Sequence, residues 1–165
     1  MLRRVACLDI PDLPLQLLLR RHPDWRHGPA AVVAEEQPEA PLLLINRHAQ
    51  HMRLRTGLRF GAAKSLLPEL RAGCVSAVEV EEAACELVRG LQTFSPHVER
   101  DPVSAGVFYL DPSGLAHLYG GETSWARAVH RYLQARHFSA ALVVGYGRAL
   151  SYALARVTRG VRNAS

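Results

Sequence analysis

Three carboxylates stand where the pattern of the chain changes: Asp9 closes an apolar run, Asp12 follows Pro11, and Asp111 precedes Pro112-Ser113-Gly114. Carboxylates at strand ends suit metal-assisted phosphoryl transfer, because magnesium is a hard ion held through oxygen ligands. Asp9 equally suits a strand-end group that caps a turn or pairs with an arginine. His48 and His51 fall at i and i+3, yet no third ligand accompanies them, so exposed helix-surface histidines are expected rather than a metal site. Gly145-Tyr146-Gly147-Arg148 follows the apolar run Ala140 to Val144, and backbone amides at a helix start could hold an anion. As a dinucleotide fingerprint it is weak, because no third glycine is in register and the short tail offers no acidic ribose partner ~20 residues on. Cys7, Cys74 and Cys85 are odd in number and widely spaced, with no Cys-x-x-Cys, so neither a zinc ribbon nor a disulfide framework is supported.

Of the basic residues only Lys64 is a lysine, and the net charge is +5. Arginine offers a planar fork to phosphate oxygens, so nucleic acid is a reasonable partner. Arginine-rich codon usage would give the same composition, so charge alone identifies no partner. With 48% hydrophobic and 21% charged residues, a packed core is expected rather than disorder. The longest apolar runs, Leu42 to Ile45 and Ala140 to Val144, fall far short of the ~20 residues that span a bilayer. Met1-Leu2-Arg3-Arg4-Val5 leads straight into a strand-like segment without the features of a signal peptide, so a cytoplasmic protein is expected.

The elements that must position these residues follow from periodicity and breakers. Arg4 to Ile10 reads as a buried strand. Pro14 opens a helix running through Leu15 to Arg21, and Pro23 stops it. Ala30 to Ala34 and Leu42 to Ile45 read as strands flanking the exposed loop Glu35 to Pro41. Asn46 is an N-cap for a helix to about Leu54, with Gly57 suiting its stop. Gly61 to Leu67 is a short helix ended by Pro68, and Cys74 to Ala77 a short strand. From Glu79 to about Phe94, Val80, Ala83, Ala84, Leu87, Val88 and Leu91 recur at helical spacing. Val103 to Leu110 is a strand, Thr123 to Arg136 a helix, Ala140 to Gly145 a strand, and Gly147 to about Arg159 a final helix. Without residues 11–75 the order approximates βαββαβ, with a poorly defined segment near His97 to Arg100. The expected class is therefore α+β, a ferredoxin-like antiparallel sheet with helices on one face.

Three stretches resemble the Y-family (translesion) DNA polymerases, in the family's order and across essentially the whole chain. Leu8-Asp9-Ile10-Pro11-Asp12 stands where the family has Asp-x-Asp followed by aromatics. Asn46-Arg47-His48-Ala49-Gln50, with Gly57-Leu58 and Ala63-Lys64-Ser65-Leu66-Leu67-Pro68, is similar to the fingers segment. Gly106-Val107-Phe108-Tyr109-Leu110-Asp111 stands where the family has Asp-Glu-x-Tyr-Leu-Asp, and Val144-Gly145 is matched later. Ala116-His117-Leu118-Tyr119-Gly120-Gly121-Glu122 looks especially like ImuB proteins, inactive Y-family relatives of bacterial mutagenesis cassettes.

The resemblance implies a palm from residues 1–10 and 76–165, with a small α/β fingers lobe inserted at 11–75. It leaves Asp9 as a vestigial position, with the other metal ligands lost at Pro11, Gly106 and Val107. Asp111 lies more than ~13 Å along an extended strand from the missing pair, too far to replace it. Arg47, Gln50 and Arg148 stand near positions that touch nucleotide phosphates in the family, and Arg53, Arg55, Arg59 and Arg71 are DNA-binding candidates. The implied role is a non-catalytic scaffold for translesion synthesis and induced mutagenesis, nucleoid-associated when on DNA. Its implied partners are the sliding clamp, an ImuA-type protein and an error-prone C-family polymerase, with contacts mostly outside this stretch and weak DNA binding. No cofactor is expected. Magnesium enters only under the alternative of an active polymerase with atypical ligands. A nucleotide-binding domain is the third alternative.

Overall fold

The computed structural model describes residues 4–145, 147–157 and 160–163. Two compact units divide the chain: Met1–Pro11 with Glu81–Ser165, and Asp12–Val80. In chain order the elements begin with β1 (Val5–Asp9), α1 (Leu13–Arg21), a 3-10 turn (Pro23–His27), β2 (Ala30–Val33) and β3 (Leu42–Ile45). They continue with α2 (Arg47–His51), α3 (Phe60–Leu66), β4 (Arg71–Gly73) and α4 (Ala77–Leu91). The remainder is β5 (Val98–Arg100), β6 (Val107–Leu110), α5 (Ala116–Tyr119), α6 (Glu122–Ala135), β7 (Ala141–Gly145), α7 (Arg148–Val157) and β8 (Gly160–Asn163).

The first unit is built on a five-stranded sheet of order β5-β6-β1-β7-β8, antiparallel throughout except that β7 and β8 run parallel. Its first four strands follow the βαββαβ order, and β8 adds an unexpected fifth beyond β7. β1 is central, so it is buried on both faces: Ala6, Cys7 and Leu8 are fully covered. Alternation along the strand separates Cys7 and Asp9 from Ala6, Leu8 and Ile10. Cys7 clusters with Val107, Tyr109, Ala141 and Val143 and with Ala155 of α7. The opposite face, carrying Leu8 and Phe108, needs cover too. There α6 packs against β7 and buries Trp125, Val129 and Leu133. Helices therefore cover both faces, a correction to the one-sided arrangement expected. The reason is that α7 crosses between the parallel strands β7 and β8 on the Cys7 side.

The second unit has a three-stranded sheet, β3-β2-β4, mixed because β2 pairs antiparallel with β3 and parallel with β4. One side of it packs with Ala49, Leu54, Ala63, Leu67 and Leu70, the other with Leu15 and Leu18 of α1.

Several boundaries differ from expectation for local reasons. The strand expected at Cys74 to Ala77 lies earlier, at Arg71–Gly73, because Ser76 opens α4 instead. Ser76 Oγ accepts from Glu79 N at 3.1 Å while Glu79 Oε2 accepts from Ser76 N at 2.8 Å, a reciprocal capping box. The strand expected from Val103 begins only at Val107. Asp101 Oδ1 accepts from Val103 N (3.0 Å) and Ser104 N (2.8 Å), and Val107 N donates to Ser104 O at 3.0 Å, so the chain turns there. Helix α2 ends at His51, and Arg53 rather than Gly57 takes the first left-handed position after it, at φ 64°. The final helix ends at Val157, and Arg159, to which it was expected to run, lies outside the described residues.

Candidate functional site

Asp9 ends β1 with 3% of its surface exposed. Its partners across the sheet are Val107 on β6 and Ala141 on β7. Neither carries an oxygen donor in its side chain. Val107 is 1% exposed, so its isopropyl group fills core space. Gly106 just precedes β6, and its carbonyl accepts from Ile10 N at 2.8 Å, extending the β1 pairing by one bond. Pro11 and Asp12 are exposed, and Asp12 sits at φ 49° ahead of α1 without a side-chain capping bond. The structure thus brings Asp9, Gly106 and Val107 together. Among the described residues, no group of three or more His, Cys, Asp or Glu side chains could hold a metal ion. This donor set does not fit a two-magnesium centre, which needs several carboxylates around ions ~4 Å apart.

Sequence reasoning missed Asp101. Asp101 N donates to Val107 O at 3.0 Å, which seats the residue beside Val107 on the side opposite β1. The Ser104 and Val103 amides, and the Tyr109 hydroxyl at 3.4 Å, hold its carboxyl below the usual carboxylate range. The signal available was the Asp-Pro-x-Ser spelling of a turn. Burial, then the charges of Asp9 and Asp101, push the Cys7 thiol up from 9.0 to about 12. The residue is therefore an inert core thiol rather than a nucleophile.

At the other end of the sheet Arg148, the first residue of α7, pairs with Glu99 on β5 and lies over the Tyr109 ring, 5.0 Å from its centroid. A cavity of about 140 Å³ opens there, lined by Arg4, Val5, His97, Glu99, Tyr109, Leu110, Asp111 and Arg148. Tyr146, part of the expected Gly-x-Gly start, lies outside the described residues.

The other candidates belong to the second unit. Asn46 Oδ1 accepts from Ala49 N and from Ala30 N, both at 3.0 Å, and its amide donates to Gly28 O at 2.8 Å. It caps α2 and ties it to β2. Arg47 and Gln50 lie exposed on α2, and Gln50 Nε2 donates back to Ile45 O at 3.2 Å. Arg53, Arg55, Arg59 and Arg71 are exposed, and among the described residues none of them forms an ion pair. Lys64 is committed elsewhere, donating to Leu70 O at 2.8 Å. No helix among the described residues is long and apolar enough to cross a membrane.

Comparison with known proteins places this geometry. The chain aligns in fold with an insertion ternary complex of Dbh DNA polymerase at TM-score 0.77 and 15% identity, covering 98% of this chain and 48% of that one. A post-insertion binary complex of Dbh DNA polymerase aligns at TM-score 0.80 and 15% identity, with coverage of 98% and 48%. DinB from Sulfolobus solfataricus aligns at TM-score 0.76 and 15% identity, again with 98% and 48%. The chain thus spans about half the length of these structures, and at such identity the likeness is one of fold. No curated protein matches the chain in sequence. The model of the impB/mucB/samB family matches residues 8–158. Matched over nearly its whole length, the chain belongs to the impB/mucB/samB family and has the fold of a Y-family DNA polymerase domain.

Proposed function

We propose that this chain is a non-catalytic, ImuB-like member of its family, acting as a scaffold in translesion DNA synthesis and induced mutagenesis. The observation that carries the reading is the pairing of Asp9 with Val107, beside a glycine at 106, where the Y-family pattern needs carboxylates. A lone buried aspartate between Val107 and Ala141 cannot clamp two hydrated divalent ions. On this reading the first unit is the palm and the second the fingers. Gln50 cannot supply the forked, charge-assisted phosphate contact of an arginine, worth about 1.5–3 kcal/mol. The sliding clamp, an ImuA-type protein and a C-family polymerase are the partners that the ImuB likeness suggests. The exposed arginines Arg53, Arg55, Arg59 and Arg71 supply weak, salt-sensitive DNA affinity. That affinity should fall by ~0.9 log units per phosphate contact per log unit of salt.

A second reading, an active polymerase with atypical ligands, has one observation in its favour: Asp101 stands beside Val107 as an additional carboxylate. Primer extension by the full-length protein with magnesium and with manganese decides between them. The scaffold reading expects no templated incorporation. Incorporation that disappears on Asp9→Ala would establish the second reading instead.

A further inference from the structure

Acidic residues end at Glu122: no Asp or Glu follows it, whereas seven arginines do. A codon bias toward arginine does not remove carboxylates, so this one-sided stretch says more than the net charge does. Its described elements, α6, β7, α7 and β8, all belong to the first unit. Glu122 is itself neutralised by Arg4 at 3.0 Å. Three of the arginines are set over tyrosine rings: Arg136 over Tyr132 at 3.8 Å, Arg148 over Tyr109 at 5.0 Å and Arg156 over Tyr152 at 5.7 Å. Arg127 and Arg131, both on α6, are not. Among the described residues their side chains form no ion pair, hydrogen bond or ring contact.

Helix α6 buries Trp125, Ala126, Val129 and Leu133. Ser124, Arg127, Arg131 and Gln134, three or four residues apart, form one exposed stripe on its other side. The stripe is ~15 Å long, at ~1.5 Å per helical residue. All four side chains donate hydrogen bonds, and none carries negative charge. No large hydrophobic side chain of α6 is exposed, so the stripe offers neither an apolar anchor for a protein partner nor a face to sink into a lipid surface. It offers no free ring for stacking an unpaired base either. Tyr132 packs edge to face with Phe94 at 5.2 Å and carries Arg136. What remains is complementarity of charge to a regular row of phosphates.

We propose that the outer face of α6 binds the phosphate backbone of double-stranded DNA, independently of base sequence. Arg127 and Arg131 each take a phosphate through the guanidinium fork, and Ser124 and Gln134 extend the row with neutral donors. A duplex presents one negative charge per ~1.7 Å of its axis, so a straight stripe of this length meets several. Helix α6 covers the Leu8 and Phe108 face of the sheet, opposite the face of Cys7 and Asp9. The site is therefore separate from the Asp9 position and from the arginines of the second unit. It holds whether the chain is a scaffold or a polymerase.

The test is a titration of the full chain with a fluorescent duplex of about 20 base pairs, read by anisotropy between about 50 and 200 mM salt. Arg127→Gln with Arg131→Gln should lower the slope of log affinity against log salt by about 1.8. Over that range the wild type should then lose about tenfold more affinity than the variant. Both positions are exposed, so the core is undisturbed. Arg127→Lys with Arg131→Lys should keep the wild-type slope, and two unrelated duplex sequences should bind alike. Arg53→Gln with Arg59→Gln tests the second unit separately. A slope lowered in that variant alone would overturn the proposal while leaving the second unit's DNA affinity standing. The proposal is also overturned if the wild type does not bind duplex or if the α6 variant keeps the full slope. Tighter binding of polyglutamate or of phosphatidylglycerol vesicles than of duplex, through the same two arginines, would overturn it as well.

Discussion

The two ends of β1 hold opposite chemistry on one face of one sheet. At its C-terminal end Asp9 lies 3% exposed between Val107 and Ala141, neither of which offers an oxygen donor from its side chain. At its N-terminal end charged side chains from several segments meet half in solvent around a cavity, with Arg148 shared between Glu99 and the Tyr109 ring. Charge persists in this unit where water and a partner offset it, whereas Asp9 is flanked across the sheet by the apolar side chains of Val107 and Ala141. A buried carboxylate cluster without its ions is costly through mutual repulsion and lost hydration. On the proposed scaffold reading, Val107 packing avoids that cost and leaves out the donors that divalent ions need.

Restoring the donors breaks the contrast most severely. In the double variant Gly106→Asp, Val107→Glu, a carboxylate enters a position that is 1% exposed. Without metal this should lower stability by about 3–5 kcal/mol, the cost of an uncompensated buried charge. Saturating Mn²⁺ should recover part of the loss, because a ligand that binds only the folded chain stabilises it. Urea denaturation with and without Mn²⁺ reads both effects, and absence of any metal-dependent recovery would show that these positions do not face Asp9.

A milder perturbation keeps the shape but changes the neighbour of Asp9. Cys7→Ser buries a hydroxyl in an apolar cluster and should cost about 1–3 kcal/mol. It should also alter the alkaline limb of stability. Burial, helped by Asp9 and Asp101, raises the folded thiol from 9.0 to about 12. The unfolded chain therefore loses its proton first, and the contribution is intact below pH 9 and lost as pH rises toward 12. Denaturation midpoints across that window should fall in the wild type and fall less in Cys7→Ser.

The smallest effect is expected where charge is paired in solvent. Arg100 donates to both oxygens of Glu81, at 2.5 and 2.7 Å, and this holds the Glu81 carboxyl well down, from 4.5 to about 2. The pair's contribution is present above pH 4.5 and lost as pH falls toward 2. Arg100→Met should flatten that slope slightly. A large change there would mean the pair matters beyond its exposed setting.

Much of this contrast was legible in the residues. Asp9, Gly106 and Val107 could be placed because a strand-end aspartate and a Tyr-Leu-Asp strand end are local patterns, and pairing β1 with β6 brings them together. The strand Leu42 to Ile45 and the cap at Asn46 were equally local. What was not legible depends on side chains overriding propensity. The β-branched Val103 reads as strand, but Asp101 captures two amides and turns the chain. Ser76 and Glu79 cap each other and take Ala77 into a helix. The pairing of Arg148 with Glu99 joins residues far apart in sequence and has no local signature. β8, a short strand at the sheet edge that includes Gly160 and Asn163, lacks the alternation that would announce it.

The account rests on the absence of a divalent-ion site around Asp9, and Mn²⁺ titration followed by electron paramagnetic resonance measures this directly. Run on the wild type and on Asp9→Asn in parallel, it should give indistinguishable curves with no saturable site that depends on Asp9. A saturable Mn²⁺ site in the wild type that Asp9→Asn removes would contradict the central claim.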